Sequence, residues 1–280
     1  MKHLEDLIYW ITERESIRDL KEREKPRPWT ADPILQEYRF CNVYREDDTV
    51  TRWIQEFWVS PNYDNPSLPF AMAMARLVNW VPTLINLGYP NTWSPEAFVA
   101  IIKKQKDEGK KCWTSAYMIT GGYQIEGGTK EAIISRVLNT LYNNLQLNPV
   151  VRGDTLERAS FKLRCPGIGN FLVGQIIADL KYSYCLENPT DWFTWCAVGP
   201  GSTAGLNFLH ERKQGTGLRQ VEFAREVNEV KAIILQETNI ELCAQNAQNC
   251  LCEFSKYVRT KYYGGRPKSR YTPAVGLEGP

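Results

Sequence analysis

Apolar residues recur at helical spacing along this chain, and no stretch alternates apolar and polar residues over the length of a strand. Leu4, Leu7, Ile8 and Ile11 predict a first amphipathic helix, which the proline-containing segment 25–29 ends because proline cannot continue a helix. Further helices are predicted over Asp47 to Phe57, Phe70 to Ile85, Pro95 to Lys106, Lys130 to Leu145 and Thr155 to Lys162. The expected fold class is therefore mostly α.

The chain is long enough for one large domain or two small ones. It has 280 residues, of which 43% are hydrophobic, so each part can bury a core. The segment Pro149 to Asp154 is a candidate boundary, which predicts an N-terminal helical layer over 1–150 and a C-terminal layer over 151–280 with a basic tail. We expect the two layers to form one compact bilobal unit. The glycine pairs at 121–122 and 127–128 predict a loop.

The charge balance excludes a global attraction to nucleic acid or to anionic lipid. Lys plus Arg number 34 and Asp plus Glu number 32, so the net charge is only +2 and any such attraction must be local. No apolar run is long enough for a membrane helix, and Met1 to Trp10 mixes acids and bases where a signal peptide would be apolar. These features predict a cytoplasmic protein without membrane contact.

Cysteine and histidine usage argues against disulfides and metal sites. The eight cysteines are scattered, and a chain of this size without a secretory signal is expected to keep them reduced. Only Cys250 and Cys252 are close, at a spacing that does not suit zinc. With His3 and His210 the only histidines, no metal site and no histidine-based triad is expected.

The segment Pro166-Gly167-Ile168-Gly169 joins one predicted helix to an apolar one, a pattern typical of a helix-hairpin-helix. Gly167 and Gly169 permit a tight turn and leave backbone N–H groups uncovered before Asn170, where a helix N-terminus can bind a DNA phosphate. The alternative is an ordinary helical hairpin with a glycine turn and no role in DNA binding.

A second glycine-rich segment, Gly199-Pro-Gly201-Ser202, precedes another predicted helix. The glycine backbone can approach a phosphoryl oxygen closely, so the segment is a candidate anion site. It is not a Walker A loop, because the Lys-Ser/Thr pair is missing. The alternative is a plain capped helix start.

Near the N-terminus, arginines lie among carboxylates and aromatic residues. Arg39 and Arg45, with Asn42 between them, form a candidate clamp for phosphate groups. Asp47 or Asp48 would then orient an amine or hold a divalent ion, so assistance by Mg²⁺ stays open. The alternative is a helix N-terminus capped by an aspartate, with ordinary surface ion pairs.

The C-terminal stretch from Lys256 to Tyr271 contains six bases and no acid. With its tyrosines it can track a DNA backbone and stack on an exposed base, and Arg259, Lys261 and Arg266 are the predicted DNA contacts. A solvated basic tail is the alternative. Glu253 and Lys256, three residues apart, form either an active-site pair or an ordinary surface pair.

Asp191 is the leading candidate for the carboxylate nearest the chemistry, ahead of Glu253 and Asp48. Repair glycosylases of the helix-hairpin-helix superfamily place a catalytic Asp a short way after the hairpin, and Asp191 follows Gly169 at a similar spacing. The aromatic side chains within residues 192–195 can line a pocket for a flipped base. Asp191 departs from that pattern because it precedes this aromatic run instead of a helix. The four-cysteine iron–sulfur loop of some of these enzymes is missing.

Taken together, the blocks at 39–45, 166–169, 199–206 and 251–257 resemble the alpha-glutamyl/putrescinyl thymine pyrophosphorylase family. The resemblance extends from about Trp10 to Tyr271. It implies a glycosylase-like helical fold that acts in bacteriophage DNA hypermodification, and so in the host cytoplasm. Members of the family are described as amino acid:DNA transferases, in which the amine of an amino acid or polyamine displaces pyrophosphate from pyrophosphorylated 5-hydroxymethyluracil in DNA.

The resemblance implies double-stranded DNA with a modified thymine as one substrate and an amino acid or polyamine as the other. It also implies a functional link to a hydroxymethyluracil DNA kinase. The reaction would extrude the base, neutralise the leaving diphosphate and deprotonate the amine. The alternatives are a glycosylase that removes a modified base and a DNA-binding module without enzymatic activity.

Overall fold

The computed structural model describes residues 1–114, 128–267 and 269–271, and helices dominate this part of the chain. Two isolated bridges occur there, but no β-strand. This confirms the mostly-α prediction. The predicted loop at 121–122 and 127–128 falls largely outside the described residues. The twelve α-helices of the described part are α1 Leu4–Glu22, α2 Pro33–Glu37, α3 Thr49–Ile54, α4 Leu68–Val78, α5 Val81–Leu87, α6 Pro95–Asp107, α7 Lys130–Leu147, α8 Leu156–Leu163, α9 Asn170–Leu180, α10 Pro200–Leu209, α11 Gln220–Thr238 and α12 Ala244–Tyr263.

Local capping signals explain why most predicted helices begin where the sequence indicates. The side chains of Ser94, Thr129 and Thr155 accept backbone N–H groups at the starts of α6, α7 and α8. The predicted helix from Phe70 to Ile85 is instead two helices. Asn79 adopts a left-handed conformation, with a φ of 47°, and ends α4 before α5 begins.

The chain folds into two compact units, and the division differs from the expected boundary near residue 150. Residues 1–47 and 198–280 form the first unit, and residues 48–197 form the second. The expected boundary therefore falls inside the second unit. The N-terminal helix α1 packs against α11 and α12, which the order of segments along the sequence cannot indicate.

Helix α4 is the centre of the second unit, because every one of its residues is buried. One of them is Arg76, whose guanidinium forms an ion pair with the carboxylate of Asp179 in α9. Arg76 also donates to the Thr51 hydroxyl at 2.9 Å and to the Asn79 side-chain oxygen at 3.4 Å. This network links α3, α4 and α9 inside an otherwise apolar core.

The first unit is built on close contact between α10 and α12. A Cβ added to Gly205 would lie 2.3 Å from the Leu251 carbonyl oxygen, and one added to Gly201 would lie 2.3 Å from the Cys252 Sγ atom. Only glycine permits this approach, so both residues serve helix packing.

All eight cysteines are free thiols. Among the residues that the structure describes, no helix combines the length and apolar character needed to cross a membrane.

Candidate functional site

One face of α12 holds the segment 40–46 in place along the helix. Residues 246, 249, 250, 253 and 257 share this face because they recur at helical spacing. Four of the side chains hydrogen-bond to the segment: Glu253 accepts the Cys41 N–H at 3.0 Å, Asn249 donates to the Asn42 carbonyl at 3.2 Å, Cys250 donates to the Val43 carbonyl at 3.6 Å, and Asn246 accepts the Arg45 N–H at 3.3 Å. The segment is therefore fixed by its backbone, and its conformation depends on α12.

Helix α1 supplies a second restraint on this segment. Arg14 donates to the Cys41 carbonyl at 3.3 Å and to the Asn42 side-chain oxygen at 3.1 Å. The Asn42 side chain in turn donates to the Asp47 carbonyl at 3.0 Å. Asn42, predicted to contact phosphate, thus has both ends of its amide group in internal hydrogen bonds.

The two arginines of the predicted phosphate clamp lie in different surroundings. Arg39 is exposed, and its backbone N–H donates to the Ser269 carbonyl at 3.0 Å. Arg45 is buried, with 7% of its surface exposed. Of the two, Arg39 is the one whose side chain reaches solvent.

Glu253 and Lys256 form an ion pair with an Oε1–Nζ distance of 2.6 Å. Glu253 is buried, whereas 32% of the Lys256 side chain is exposed. Burial alone would lower the pKa of the Lys256 ammonium, but the charge of Glu253 and its hydrogen bond raise it above the usual value. The pair is thus a partly buried one in which Lys256 is the member that reaches the surface.

The Gly199–Ser202 segment begins α10, as the sequence indicates, but its groups face inward. The Ser202 hydroxyl donates to the Gly199 carbonyl at 3.1 Å and accepts from the Gln248 amide at 3.3 Å. Burial, reinforced by the charge of Glu253, raises the pKa of the neighbouring Cys252 thiol to about 11. Cys252 is therefore a protonated thiol at neutral pH and not a ready nucleophile.

Three of the five described bases in the C-terminal stretch have carboxylate partners. These ion pairs are Lys256 with Glu253 at 2.6 Å, Lys261 with Asp6 at 2.7 Å and Arg270 with Glu37 at 3.3 Å. Arg259 and Arg266 are exposed, and Lys268 lies outside the described residues. Of the three predicted DNA contacts, Lys261 is thus one whose charge is shared with a carboxylate of α1.

The hairpin turn, residues 164–169, joins α8 to α9 in the second unit. The Ile168 N–H donates to the Cys165 carbonyl at 2.8 Å, which closes the turn. Gly167 has a φ of 90°, a backbone conformation that other residues rarely adopt, and a Cβ there would lie 2.4 Å from Val137 Cγ2. Both the backbone conformation and the lack of space therefore disfavour a side chain. Gly169 is the exposed N-cap residue of α9, has an extended backbone and provides no side-chain cap.

Asp191 caps helix α8 of the second unit. Its two carboxylate oxygens accept the N–H groups of Leu156 at 2.8 Å and Glu157 at 2.9 Å. Thr155 accepts the next N–H, that of Arg158, at 3.0 Å. These contacts give Asp191 a structural role as the cap of α8, and its catalytic role stays a prediction. Asp48 occupies the N-cap position of α3, where its side chain makes no capping hydrogen bond.

We expect Asp191→Ala to destabilise the second unit by about 1–2 kcal/mol, since two N–H groups at the start of α8 lose their acceptors. Urea unfolding followed by circular dichroism measures the loss, and Asp191→Asn, which keeps one acceptor, should lose less. A stability equal to that of the parent would show that water replaces the cap. Single-turnover assays on Asp191→Asn test the catalytic prediction separately, because a chemical step at full rate would exclude it.

Sequence reasoning missed the residues that hold this architecture together. Arg14, Asn246 and Asn249 fix the segment 40–46, and Arg76 and Asp179 form the buried ion pair of the second unit. The helical spacing of polar residues on a buried face of α12 was a usable signal for the asparagines. Within the described part of the chain, no three His, Cys, Asp or Glu side chains converge as a metal site would require.

Comparisons with known proteins place these features in a family. The family model described as "5-hmdU DNA kinase, helical domain" matches residues 1–265. A 5-hmdU DNA kinase of Bacillus phage SP10 is 25% identical over 290 aligned residues, which cover 88% of this chain and 44% of the relative. The chain thus corresponds to less than half the length of that relative. No solved structure matches the chain. The chain belongs to the family defined by the helical domain of 5-hmdU DNA kinases.

Proposed function

We propose that this chain is a DNA base-modification enzyme of the phage hydroxymethyluracil system, and that it transfers an amine onto pyrophosphorylated 5-hydroxymethyluracil with release of pyrophosphate. The family match supports the hydroxymethyluracil part of this proposal. One observation carries the rest. Helix α12 holds the segment 40–46 on one face and α10 on another, so three sequence blocks typical of the transferases meet on the helix that carries Lys256.

The reaction replaces one bond at the C5 methylene of the base. The C–O bond to the diphosphate breaks with its electron pair on the leaving oxygen, and the amine nitrogen forms a C–N bond and gives up a proton. Electron release from the uracil ring can expel the diphosphate first through an exocyclic methylene. No covalent enzyme nucleophile is needed, which agrees with the protonated state of Cys252.

In this proposal Lys256 neutralises the diphosphate as its charge develops. Its ammonium is partly exposed and stays protonated, as the raised pKa indicates, and Glu253 with the Cys41 N–H fixes its position. Arg39, the exposed arginine of the 39–45 block, is a second candidate contact. Asp191, Asp48 and Glu253 remain the candidates for the group that accepts the amine proton.

The hairpin turn would grip DNA in the manner of a helix-hairpin-helix, through backbone N–H groups at the start of α9. We expect Gly169→Asp to weaken binding to duplex DNA without regard to sequence, because it puts a negative charge where a phosphate would bind. Nothing lies within 4 Å of a Cβ at Gly169, and Asp is a favourable N-cap residue, so the variant should fold. Fluorescence anisotropy over a series of salt concentrations measures the effect, with Gly169→Ala as the uncharged control. Parental affinity and salt dependence would contradict this role.

A second function is favoured by the comparison itself. The matched family model describes the helical domain of a kinase, and the chain corresponds to 44% of the phage SP10 relative. Such a domain could present the flipped base to a separate kinase that phosphorylates its hydroxymethyl group. In that case the helical chain would bind DNA and would carry out no transfer of its own.

One experiment separates the candidates. The protein is incubated with pyrophosphorylated 5-hydroxymethyluracil DNA and an amino acid and polyamine mixture, and the digested nucleosides are analysed by mass. A nucleoside that carries an amine supports the transferase, and a free base supports a glycosylase. No change in mass, together with stimulated phosphorylation of 5-hydroxymethyluracil DNA when a kinase and ATP are added, supports the presenting domain.

A further inference from the structure

An exposed phenylalanine with an arginine stacked on it lies beside the hairpin turn of the second unit. Phe161, in the last turn of α8, has 62% of its surface exposed. The Arg164 guanidinium carbon lies 4.9 Å from the centroid of its ring. A single exposed apolar residue is common on protein surfaces, but this one combines a flat ring with a cation.

Of the bases near this ring, Arg164 is the one that stacks on it. From Arg158 to Ala178 the chain contains three bases and no acid. Arg158 and Lys162 share the Asp154 carboxylate, at 3.7 and 2.6 Å. Arg164 instead stacks on the ring, and its buried Nε atom has no hydrogen-bond partner among the described residues. Asp154 and Glu157 offset much of the charge of Arg158 and Lys162, so the attraction of this site to a nucleic acid backbone rests on Arg164.

We propose that Phe161, backed by Arg164, is a stacking platform for the DNA base next to the target nucleotide. One face of this base is uncovered when the target nucleotide is extruded from the duplex. The proposal rests on the proposed function only in taking DNA as the partner. Extrusion of a nucleotide leaves the neighbouring bases with an uncovered face, and an aromatic ring beside a cation covers such a face without sequence preference. The turn that would hold the phosphates follows α8 in the same hairpin, so the ring and the phosphate contacts would belong to one structural element.

The test compares two DNA probes that differ only in their base stack. One is an intact duplex, and the other has the same sequence with a single abasic site. We expect Phe161→Ala to bind the abasic probe about tenfold more weakly than the parent, the size typical of one lost base–aromatic stack, and to bind the intact duplex almost normally. Phe161→Tyr should retain binding to both probes. A 2-aminopurine placed beside the abasic site should report the lost stack as a change in its fluorescence.

Phe57→Ala is the matched control, because Phe57 is also an exposed phenylalanine of the second unit, with 52% of its surface exposed. We expect it to bind both probes as the parent does. Parental affinity of Phe161→Ala for the abasic probe would overturn the proposal, and so would an equal loss on both probes, which would indicate a general surface contact. None of these measurements requires amine transfer, so a failed transferase assay would leave them interpretable.

Discussion

Asp179→Asn is expected to destabilise the second unit by about 3–5 kcal/mol, because it leaves the Arg76 guanidinium buried without its counter-charge. Arg76 and Asp179 have 2% and 0% of their surfaces exposed, so water cannot replace the lost carboxylate. The same pair links α4 to α9, the helix that follows the hairpin turn, and its loss should loosen that turn as well. Urea unfolding monitored by circular dichroism measures the change in the free energy of unfolding.

Two further variants make this prediction specific. Glu108→Gln breaks an ion pair between Glu108 and Lys110, whose side chains are 40% and 60% exposed, and should leave the free energy of unfolding almost unchanged. The double variant Arg76→Met with Asp179→Leu removes both charges together and should recover much of the lost stability. A stability of Asp179→Asn within about 1 kcal/mol of the parent would contradict an essential role for the charge of this buried pair.

The helices could be predicted from the sequence because their signals are local. A cap such as Ser94 or Thr155 and the apolar spacing that follows it lie within a few residues, and the helices begin there. The division into units depends instead on which faces are buried together. Helix α1 packs with α11 and α12, from the other end of the chain, and no local signal marks that choice.

The roles of individual site residues were harder to predict for the same reason. Gly201 has the sequence context of an anion site, but the atom that decides its role, Cys252 Sγ, belongs to a distant segment. Asn42 likewise lies between two arginines, yet Arg14 and Asn249 determine what its side chain and backbone do. The resemblance directed attention to four blocks of sequence, and the contacts that α12 makes with the blocks at 39–45 and 199–206 come from the folded chain.

Counting charges along the sequence also misjudged the C-terminal stretch. It contains no acid of its own, but Asp6 and Glu37 come to it from other helices, and Glu253 lies one turn before Lys256 in α12. A local excess of bases is therefore a reliable guide to a DNA-binding surface only where the fold brings no carboxylates to it.

Lys256→Gln should lower kcat/KM on pyrophosphorylated DNA by about 100- to 1,000-fold, the usual cost of removing one preorganised group that stabilises developing charge. Lys256→Arg keeps a cation at this position and should retain more activity than Lys256→Gln. Steady-state rates of pyrophosphate release measure both variants. A Lys256→Gln enzyme that works at the parental rate would exclude Lys256 from the chemistry.

The pH dependence of this lysine follows from the direction of its pKa shift. The folded-state pKa of Lys256 is raised, so the stabilisation by its pairing with Glu253 is fully present below the unfolded-state pKa of about 10.4 and is lost as pH rises through the folded value. Between about pH 6 and pH 9 the ammonium should stay charged. The pH profile of the parent should therefore show no loss of activity from Lys256 in that range.

A double variant separates the chemical role of Lys256 from a structural one. Lys256→Gln alone leaves the Glu253 carboxylate buried without its cation, so part of its loss comes from a less stable first unit. Lys256→Gln combined with Glu253→Gln removes both charges and should recover stability in urea. If the ion pair is only structural, activity returns together with stability; if stability returns and activity does not, Lys256, Glu253 or both act in the chemistry.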